Sequence, residues 1–291
     1  MKKIHYTLIC ALILLSLALC GCGGSANASF NLSTVKPWNN YERMVYDYEK
    51  IAADGTVKAS GTYTVTISTE NGVTTIESSM TVTHTESKIS DTIASVVRMD
   101  AKSMYPKYSE KKITDNVNGN GYTLVMNYAE KISSMKFDRE ESPRETFALP
   151  EPGQEVYDNE QLYQIVRAAD NLNEKDNSGT FSLINGVDTY IYGAVKTYEM
   201  LYTVGDSETV KTTGLEGRYG INQDGNIPCR KVTIKLNTDR SGSSTSVYYS
   251  ADGFSGGGKY VPVRISRSQF STTSLSVEFD HIYTLKDYSA R

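Results

Sequence analysis

The sequence predicts an all-β protein whose strands form an antiparallel sheet, with one short helix inserted near residues 158–169. Apolar and polar residues alternate over long stretches, as where Tyr63, Val65 and Ile67 are separated by threonines. A period of two is typical of strands that bury one face. Four turn-forming dipeptides punctuate these stretches: Asn71-Gly72, Asn185-Gly186, Asp224-Gly225 and Asp252-Gly253.

The first 21 residues have the composition of an export signal. Two lysines precede an apolar run over residues 8–19, which is too short to span a bilayer comfortably. The next stretch, Leu19-Cys20-Gly21-Cys22, resembles the bacterial lipobox, in which diacylglycerol is attached to a cysteine thiol. We therefore expect a signal peptide over residues 1–21 and a lipidated Cys22 at the start of the mature chain. The alternatives are processing at Cys20, after the bulky Leu19, and a plain secretory signal cut near Ala26-Asn27-Ala28.

Loss of this signal leaves little cysteine chemistry. Cys10 and Cys20 would be removed and Cys22 acylated, so Cys229 would be the one remaining thiol, which excludes an internal disulfide and a zinc site. Removal of two lysines from 30 basic residues, against 34 acidic ones, changes the net charge from −4 to −6. Because both signs are interspersed without a basic stripe, nucleic acid is not an expected partner. We expect no cofactor and no metal.

After a lipidated N-terminus and flexible tether over residues 22–36, a single β-rich domain is expected over residues 37–291. A Pro/Glu-rich connector near 139–156 would join its two sheet halves. The helix follows directly, because Leu162, Ile165, Val166 and Ala169 recur at helical spacing. Asp158 can cap its free amides, Gln161 can reach back to the cap, and Tyr157 can pack on Leu162.

Three groups of segments share a recognisable pattern: YERMVYDYEK (41–50) with ASGTYTVTIS (59–68), YDNEQLYQIVRAADNL (157–172), and IPCRKVTIKL (227–236) with SVYYSADG (246–253) and KYVPVRIS (259–266). Together they resemble the bacterial exported family known as domain of unknown function 3108. The resemblance implies a strongly curved antiparallel sheet or open barrel with one helix, and it would cover most of residues 38–287. It transfers no catalytic residue, and the glycine-rich GFSGGG (253–258) departs from the pattern.

One stretch within this glycine-rich insertion matches the nucleophile motif of serine hydrolases. Ser255 occupies the serine position of G-x-S-x-G, and His281 would have to be its base. A proline-containing strand follows where the motif requires a helix, so a hairpin loop is the better interpretation. His84 and His281 both fall on the apolar faces of their strands, where a histidine is usually satisfied by a local hydrogen bond.

Tyrosine is unusually abundant, with 21 residues in the chain. Tyr190, Tyr192, Tyr198 and Tyr202 share one face of a run that is apolar on both faces, so this face either packs or lines a cavity. High strand propensity explains the same tyrosines without a ligand.

These observations lead us to expect a non-catalytic, extracytoplasmic protein anchored to a bacterial membrane by its N-terminal lipid. Its curved sheet would bind a hydrophobic or envelope-derived ligand through these tyrosines. The alternative is a structural or protein-interaction module of the cell envelope, and a serine hydrolase is the weakest of the three hypotheses.

Overall fold

A computed structural model describes residues 30–143, 146–149, 156–186, 196–237, 244–270 and 277–291. Fifteen strands and one short helical segment make up this part of the chain. The strands are β1 (Tyr41–Ala52), β2 (Val57–Glu70), β3 (Val73–His84), β4 (Ser90–Asp100), β5 (Pro106–Thr114), β6 (Tyr122–Asn127), β7 (Ile132–Phe137), β8 (Thr146–Ala148), β9 (Val156–Asp158), β10 (Ser178–Ile184), β11 (Thr197–Lys211), β12 (Asn226–Leu236), β13 (Thr245–Ser250), β14 (Pro262–Phe270) and β15 (Val277–Ala290).

All fifteen strands belong to one sheet in the order β8-β7-β6-β5-β4-β3-β2-β1-β15-β14-β13-β12-β11-β10-β9. Neighbouring strands are antiparallel except for β9 and β10, which are parallel. The first and last strands pair along almost their whole lengths, from Glu42 opposite Ala290 to Ala52 opposite Phe279. The sheet is not closed into a barrel, because β8 and β9 remain as edges. The predicted all-β fold with a large antiparallel sheet is confirmed.

The β2–β3 hairpin shows how local sequence starts this pairing. Asn71 and Gly72 are the two loop residues and have φ angles of 51° and 75°. Positive φ at both loop positions gives the turn whose twist matches the flanking strands, and Asn-Gly tolerates it best. The predicted turn at this dipeptide is therefore confirmed.

The helical segment lies inside the curve of the sheet. A 3₁₀ turn (Asn159–Gln161) continues into helix α1 (Leu162–Arg167). The predicted capping box is present, with the Asp158 side chain accepting from Glu160 N and Gln161 Oε1 accepting from Asp158 N. Ile165 and Val166 are fully buried in one core together with side chains from most strands. The helix therefore forms part of the core of the sheet that surrounds it.

Helix α1 ends at Arg167, before the expected end at Ala169, because the N-terminal segment takes over its hydrogen bonding. Ser33 N donates to the Ala168 carbonyl at 2.8 Å, and Leu32 forms an isolated bridge with Ala169. The ring of Phe30 packs against Phe181, with centroids 5.1 Å apart. Residues 30–33 are thus docked on the domain, so the flexible tether expected over residues 22–36 extends at most to residue 29.

The edge strand β9 lies near β5. The two strands are joined by side-chain hydrogen bonds and not by backbone hydrogen bonds. Asp158 Oδ2 accepts from Ser109 Oγ at 2.5 Å and from Tyr128 Oη at 2.8 Å. Lys111 and Glu160 form an ion pair of 2.7 Å beside this buried cluster. A second small core lies on the same side, formed by Leu124, Met126, Tyr128, Met135, Leu149 and Ile184.

Candidate functional site

A cluster of tyrosines lies on the concave face of the sheet beside helix α1. The register places Tyr46 opposite Tyr63 and Tyr48 opposite Tyr283, so these rings project from the same face of β1, β2 and β15. Ring centroids are 5.8 Å apart for Tyr46–Tyr63, 5.0 Å for Tyr48–Tyr283 and 5.4 Å for Tyr63–Tyr283. Helix α1 adds Tyr163, which is close enough for its hydroxyl to affect the ionisation of Tyr63 and Tyr283.

The hydroxyl groups of this cluster are of two kinds. Tyr46 is fully buried and donates to the Pro262 carbonyl at 2.9 Å, and Tyr48 is hydrogen-bonded to His281 Nδ1 at 2.9 Å. The hydroxyls of Tyr63, Tyr163 and Tyr283 make no hydrogen bond to any other residue that the structure describes, although their side chains are half-buried. Burial raises the pKa of all three, so they remain protonated donors at neutral pH.

An open cleft of about 390 Å³ adjoins this cluster at the end of β14 and β15. Arg267 and His281 line it, and the next residues on the same face of these strands, Ile265 and Tyr283, lead to the tyrosines. Its described lining comprises Met200, Ile234, Lys235, Leu236, Ser244, Thr245, Arg267, Ser268, Gln269 and His281. No aspartate or glutamate is among these residues.

His281 is a neutral, fixed part of this wall. Its Nε2 lies 3.2 Å from Gln269 Oε1 and its Nδ1 faces the Tyr48 hydroxyl, which assigns the ring proton to Nε2. Burial and, to a smaller extent, the nearby charges of Lys50 and Arg267 together lower the pKa of His281 to about 4. His281 is therefore uncharged at neutral pH.

The two residues of the hydrolase hypothesis are not brought together. Ser255 is exposed in the loop between β13 and β14, close to Tyr219, whose carbonyl accepts from its backbone N–H. His281 pairs with Arg267, five residues along β14 from Pro262 at the loop end, which is about 16 Å of strand. Ser255 and His281 consequently lie towards opposite ends of β14.

The glycines of the GFSGGG loop pack against a buried ion pair. Arg167 Nη1 lies 2.8 Å from Glu42 Oε2, and both side chains are 0% exposed. Tyr288 donates to Glu42 Oε1 at 3.0 Å and accepts from the Gly258 backbone N–H at 2.7 Å. A Cβ atom at Gly258 would collide with Glu42 Oε1 and lie 2.5 Å from an Arg167 nitrogen. The loop therefore needs glycine for close approach to the ion pair.

The four tyrosines proposed from the sequence have different surroundings. Tyr202 is 0% exposed, packs beside Phe181, and donates to Asn171 Oδ1 at 2.7 Å. A side chain with no exposed surface cannot contact a ligand, so Tyr202 is a core residue and not part of the site. Tyr198 is half-buried on β11, while Tyr190, Tyr192 and Cys22 lie outside the described residues.

The remaining cysteine and histidine have structural surroundings. Cys229 is fully buried, and burial raises the pKa of its thiol to about 12. His84 Nε2 lies 2.8 Å from Asp91 Oδ2. Among the described residues, no group of three or more His, Cys, Asp or Glu side chains is arranged to hold a metal ion. None of the helices in the same residues is long and apolar enough to cross a membrane.

A match to a known family model shows which family the chain belongs to. A family model described as "Protein of unknown function (DUF3108)" matches residues 42–278. The chain belongs to the DUF3108 family. The resemblance seen in its sequence segments is thereby confirmed, and the match includes Tyr46, Tyr63 and Tyr163, whereas Tyr283 and most of β15 lie beyond it. A search of the curated proteins finds no match.

Solved structures extend the likeness of this DUF3108 protein to the fold. A crystal structure of a β-barrel-like protein of domain of unknown function DUF1849 from Brucella abortus aligns with a TM-score of 0.53 and 11% identity, covering 88% of this chain and 99% of that chain. At this identity the match shows a common fold alone. A candidate lipoprotein from Parabacteroides distasonis aligns with a TM-score of 0.29, 10% identity and coverage of 90% and 100%. A candidate exported protein with a YmcC-like fold from Bacteroides fragilis has the same TM-score and coverage at 11% identity.

Proposed function

We propose that this protein is a lipid-anchored, extracytoplasmic binding protein that holds a hydrophobic ligand on the concave face of its sheet. The carrying observation is the group of three half-buried tyrosines, Tyr63, Tyr163 and Tyr283, whose hydroxyls have no partner among the described residues. They adjoin an open cleft of about 390 Å³, within the size range of small-molecule sites. Tyrosine suits an amphipathic ligand, since its ring is apolar and its hydroxyl can donate a hydrogen bond.

The anchor rests on the sequence around Cys22. The spacing of Leu19, Gly21 and Cys22 fits acylation of the cysteine, and the apolar run before it fits a removed signal. The first described residue, Phe30, is docked against Phe181, so seven residues would connect the acylated cysteine to the folded domain. Such a connection would hold the domain near the membrane surface, where an envelope-derived ligand is available.

A non-catalytic role accounts for the histidine in the cleft wall. Both ring nitrogens of His281 are engaged by Tyr48 and Gln269, and the hydrogen bonds fix the ring rather than leave a base free for a substrate. Ser255 lies towards the other end of β14. These placements support binding over hydrolysis.

A structural or protein-interaction role is the second candidate, and a specific observation favours it. The interior around helix α1 is filled with side chains, including the fully buried Tyr46, Tyr249 and Tyr288. A filled interior suits a rigid module, and the open cleft near Arg267 and His281 lies at the end of β14 and β15 rather than around the helix.

Native mass spectrometry of protein purified from membranes would test both parts of the proposal. We expect the mass of a mature chain that begins at acylated Cys22, and a bound small molecule that is reduced in a Tyr63→Phe, Tyr163→Phe, Tyr283→Phe variant. A matched Tyr41→Phe variant, at a half-buried position with no place in this cluster, should keep it. A cleaved chain without acyl mass would refute the anchor, and equal ligand retention in both variants would refute the site.

A further inference from the structure

The charged side chains of the cleft indicate which class of ligand it could bind. Arg267 is exposed there and forms no ion pair or hydrogen bond with another residue that the structure describes. Lys235 also lines the cleft without an ion-pair partner in the same residues. Many other surface cations of this net acidic chain are paired with carboxylates, as in Lys58–Glu86, Lys107–Asp100, Lys175–Asp206, Lys231–Glu208, Lys286–Asp47 and Arg218–Asp287. The described lining of the cleft thus carries two unpaired cations and no carboxylate, and the Asp280 carboxylate beside it accepts from the lining residue Ser268 at 2.6 Å.

Arg267 also faces the tyrosine cluster. Its charge is near enough to act on the ionisation of Tyr163, Tyr283 and His281. One guanidinium group therefore lies where the polar cleft meets the half-buried rings. Met200 and Leu236, which are half-buried, supply apolar surface to the same cleft. A ligand in this space would meet the two cations Arg267 and Lys235, hydroxyl and amide groups of the lining, and apolar surface on one side, with the tyrosine cluster beyond His281.

We propose that the cleft binds an amphiphile with a carboxylate-type anionic head group, which Arg267 holds, while an acyl chain lies against the tyrosines and the apolar wall. This inference rests on the proposed binding function and specifies its ligand class. Arginine fits the head group because its planar fork can donate two hydrogen bonds to one carboxylate. Neutral His281 contributes no competing charge, no carboxylate is among the described lining residues, and the nearby Asp280 carboxylate is engaged by the Ser268 hydroxyl.

The test is equilibrium binding to the full-length protein, purified from membranes and reconstituted in phosphatidylcholine nanodiscs. Three radiolabelled probes share one chain and differ in head group: dodecanoate, dodecan-1-ol and dodecyltrimethylammonium. Nanodiscs without protein are titrated in parallel to subtract partitioning into lipid. Unlabelled acetate is added as a competitor to show whether the head group alone occupies the site.

We expect dodecanoate to bind about tenfold more tightly than dodecan-1-ol, and dodecyltrimethylammonium to bind weakest. Arg267→Gln should reduce dodecanoate binding to the level of the alcohol. Arg98→Gln removes an exposed arginine from β4, on the face of that strand that points away from the buried Val97 and Met99. This variant should leave dodecanoate binding unchanged. Because both arginines are exposed, both variants should fold, and circular dichroism checks this.

Each other outcome has a definite meaning. Equal binding of the alcohol, or unchanged dodecanoate binding by Arg267→Gln, would overturn the anionic head group and leave the hydrophobic site standing. Full displacement of dodecanoate by millimolar acetate would overturn the amphiphile in favour of a free anion. Failure of all three probes to bind would refute the proposed function together with this inference.

Discussion

At the scale of single residues, the buried pair of Arg167 and Glu42 is the most consequential interaction in the core. Arg167 also donates through Nε to the Lys259 carbonyl at 2.9 Å, and its guanidinium lies 5.7 Å from the Trp38 ring centroid. Burying two charges costs desolvation energy, and the cost is offset only when every charged atom has a partner. The pair therefore stabilises the fold only as a complete network.

We predict that Arg167→Met and Glu42→Gln each lower the free energy of unfolding strongly. The arginine change should cost about 3–5 kcal/mol, because it leaves a buried carboxylate unpaired. The double variant should be less destabilised than the sum of the two single variants, because it removes both charges. Urea unfolding of the four proteins measures this coupling. Lys58→Met breaks a partly exposed pair and should cost at most about 1 kcal/mol. Strict additivity of the Arg167 and Glu42 effects would contradict the prediction.

The residue scale also shows what the sequence could not reveal. Arg167 stands at the polar end of an amphipathic pattern, and nothing local distinguishes it from a solvated arginine. Its partner Glu42 is 125 residues away in the chain, and the two meet only because β1 pairs with β15 beside helix α1. A buried ion pair between such distant residues leaves no periodic signal.

At the scale of elements, Asp158 combines a helix cap with the contact between β9 and β5. It is fully buried, and burial together with the nearby Glu160 carboxylate raises its pKa to about 6. Hydrogen bonds from Ser109, Tyr128 and the Glu160 amide favour the charged form but do not cancel the effect of burial. A carboxyl group whose folded pKa exceeds its ordinary value of 3.8 binds protons more tightly in the folded state.

This sign leads to a pH prediction for Asp158. Its contribution to stability is complete below about pH 4 and is lost as the pH rises through 6, a change of about 3 kcal/mol for the full shift. Asp158→Asn keeps a good helix cap but cannot ionise, so the difference in unfolding free energy between wild type and variant should change across this range. Chemical denaturation from pH 4 to 7.5 measures it.

Asp100→Asn provides the control of opposite sign. Hydrogen bonds from Ser103 and Lys102 lower the pKa of Asp100, so its stabilising contribution is lost as the pH falls below about 4. Between pH 5 and 7.5 the difference between this variant and wild type should stay constant. A constant difference for Asp158→Asn as well would show that the buried carboxyl has no raised pKa.

Elements were the level at which the sequence was most informative. The capping box at Asp158 and Gln161 and the Asn71-Gly72 turn depend on neighbouring residues, so local patterns predicted them correctly. Alternation also placed Tyr63 and His281 on the apolar faces of their strands, and Tyr283 follows His281 by two residues on the same face. It could not show that the rings of Tyr63 and Tyr283 meet with Tyr163, because that depends on the pairing of β1 with both β2 and β15. The same limit led to Tyr202 being proposed as ligand-facing, although Asn171 and Phe181 enclose it.

At the scale of the whole molecule, the strands of the one continuous sheet differ in how many neighbouring strands and core contacts stabilise them. β1 has eleven described partners on β15 and pairs with β2 on its other side, and its Met44 and Tyr46 lie in the main core. β7 and β8 lie at an edge, β8 is three residues long, and Ile132 at the start of β7 is 45% exposed. Edge strands with a small separate core open at a lower free energy than central strands in a shared core.

Hydrogen exchange should therefore divide the sheet into a slow centre and a faster edge. We predict that peptides from β1 and β15 exchange slowest and together, because each strand is hydrogen-bonded on both sides and contributes to the main core. Peptides from β6 to β8 should exchange faster, at rates set by local opening. Exchange of the folded protein, followed by digestion and mass spectrometry of the peptides, measures this ranking. Leu124→Ala, in the small core at that edge, should speed exchange in β6 and β7 without changing β1. Equal acceleration in β1 and β7 would show instead that the edge and the centre unfold as one cooperative unit.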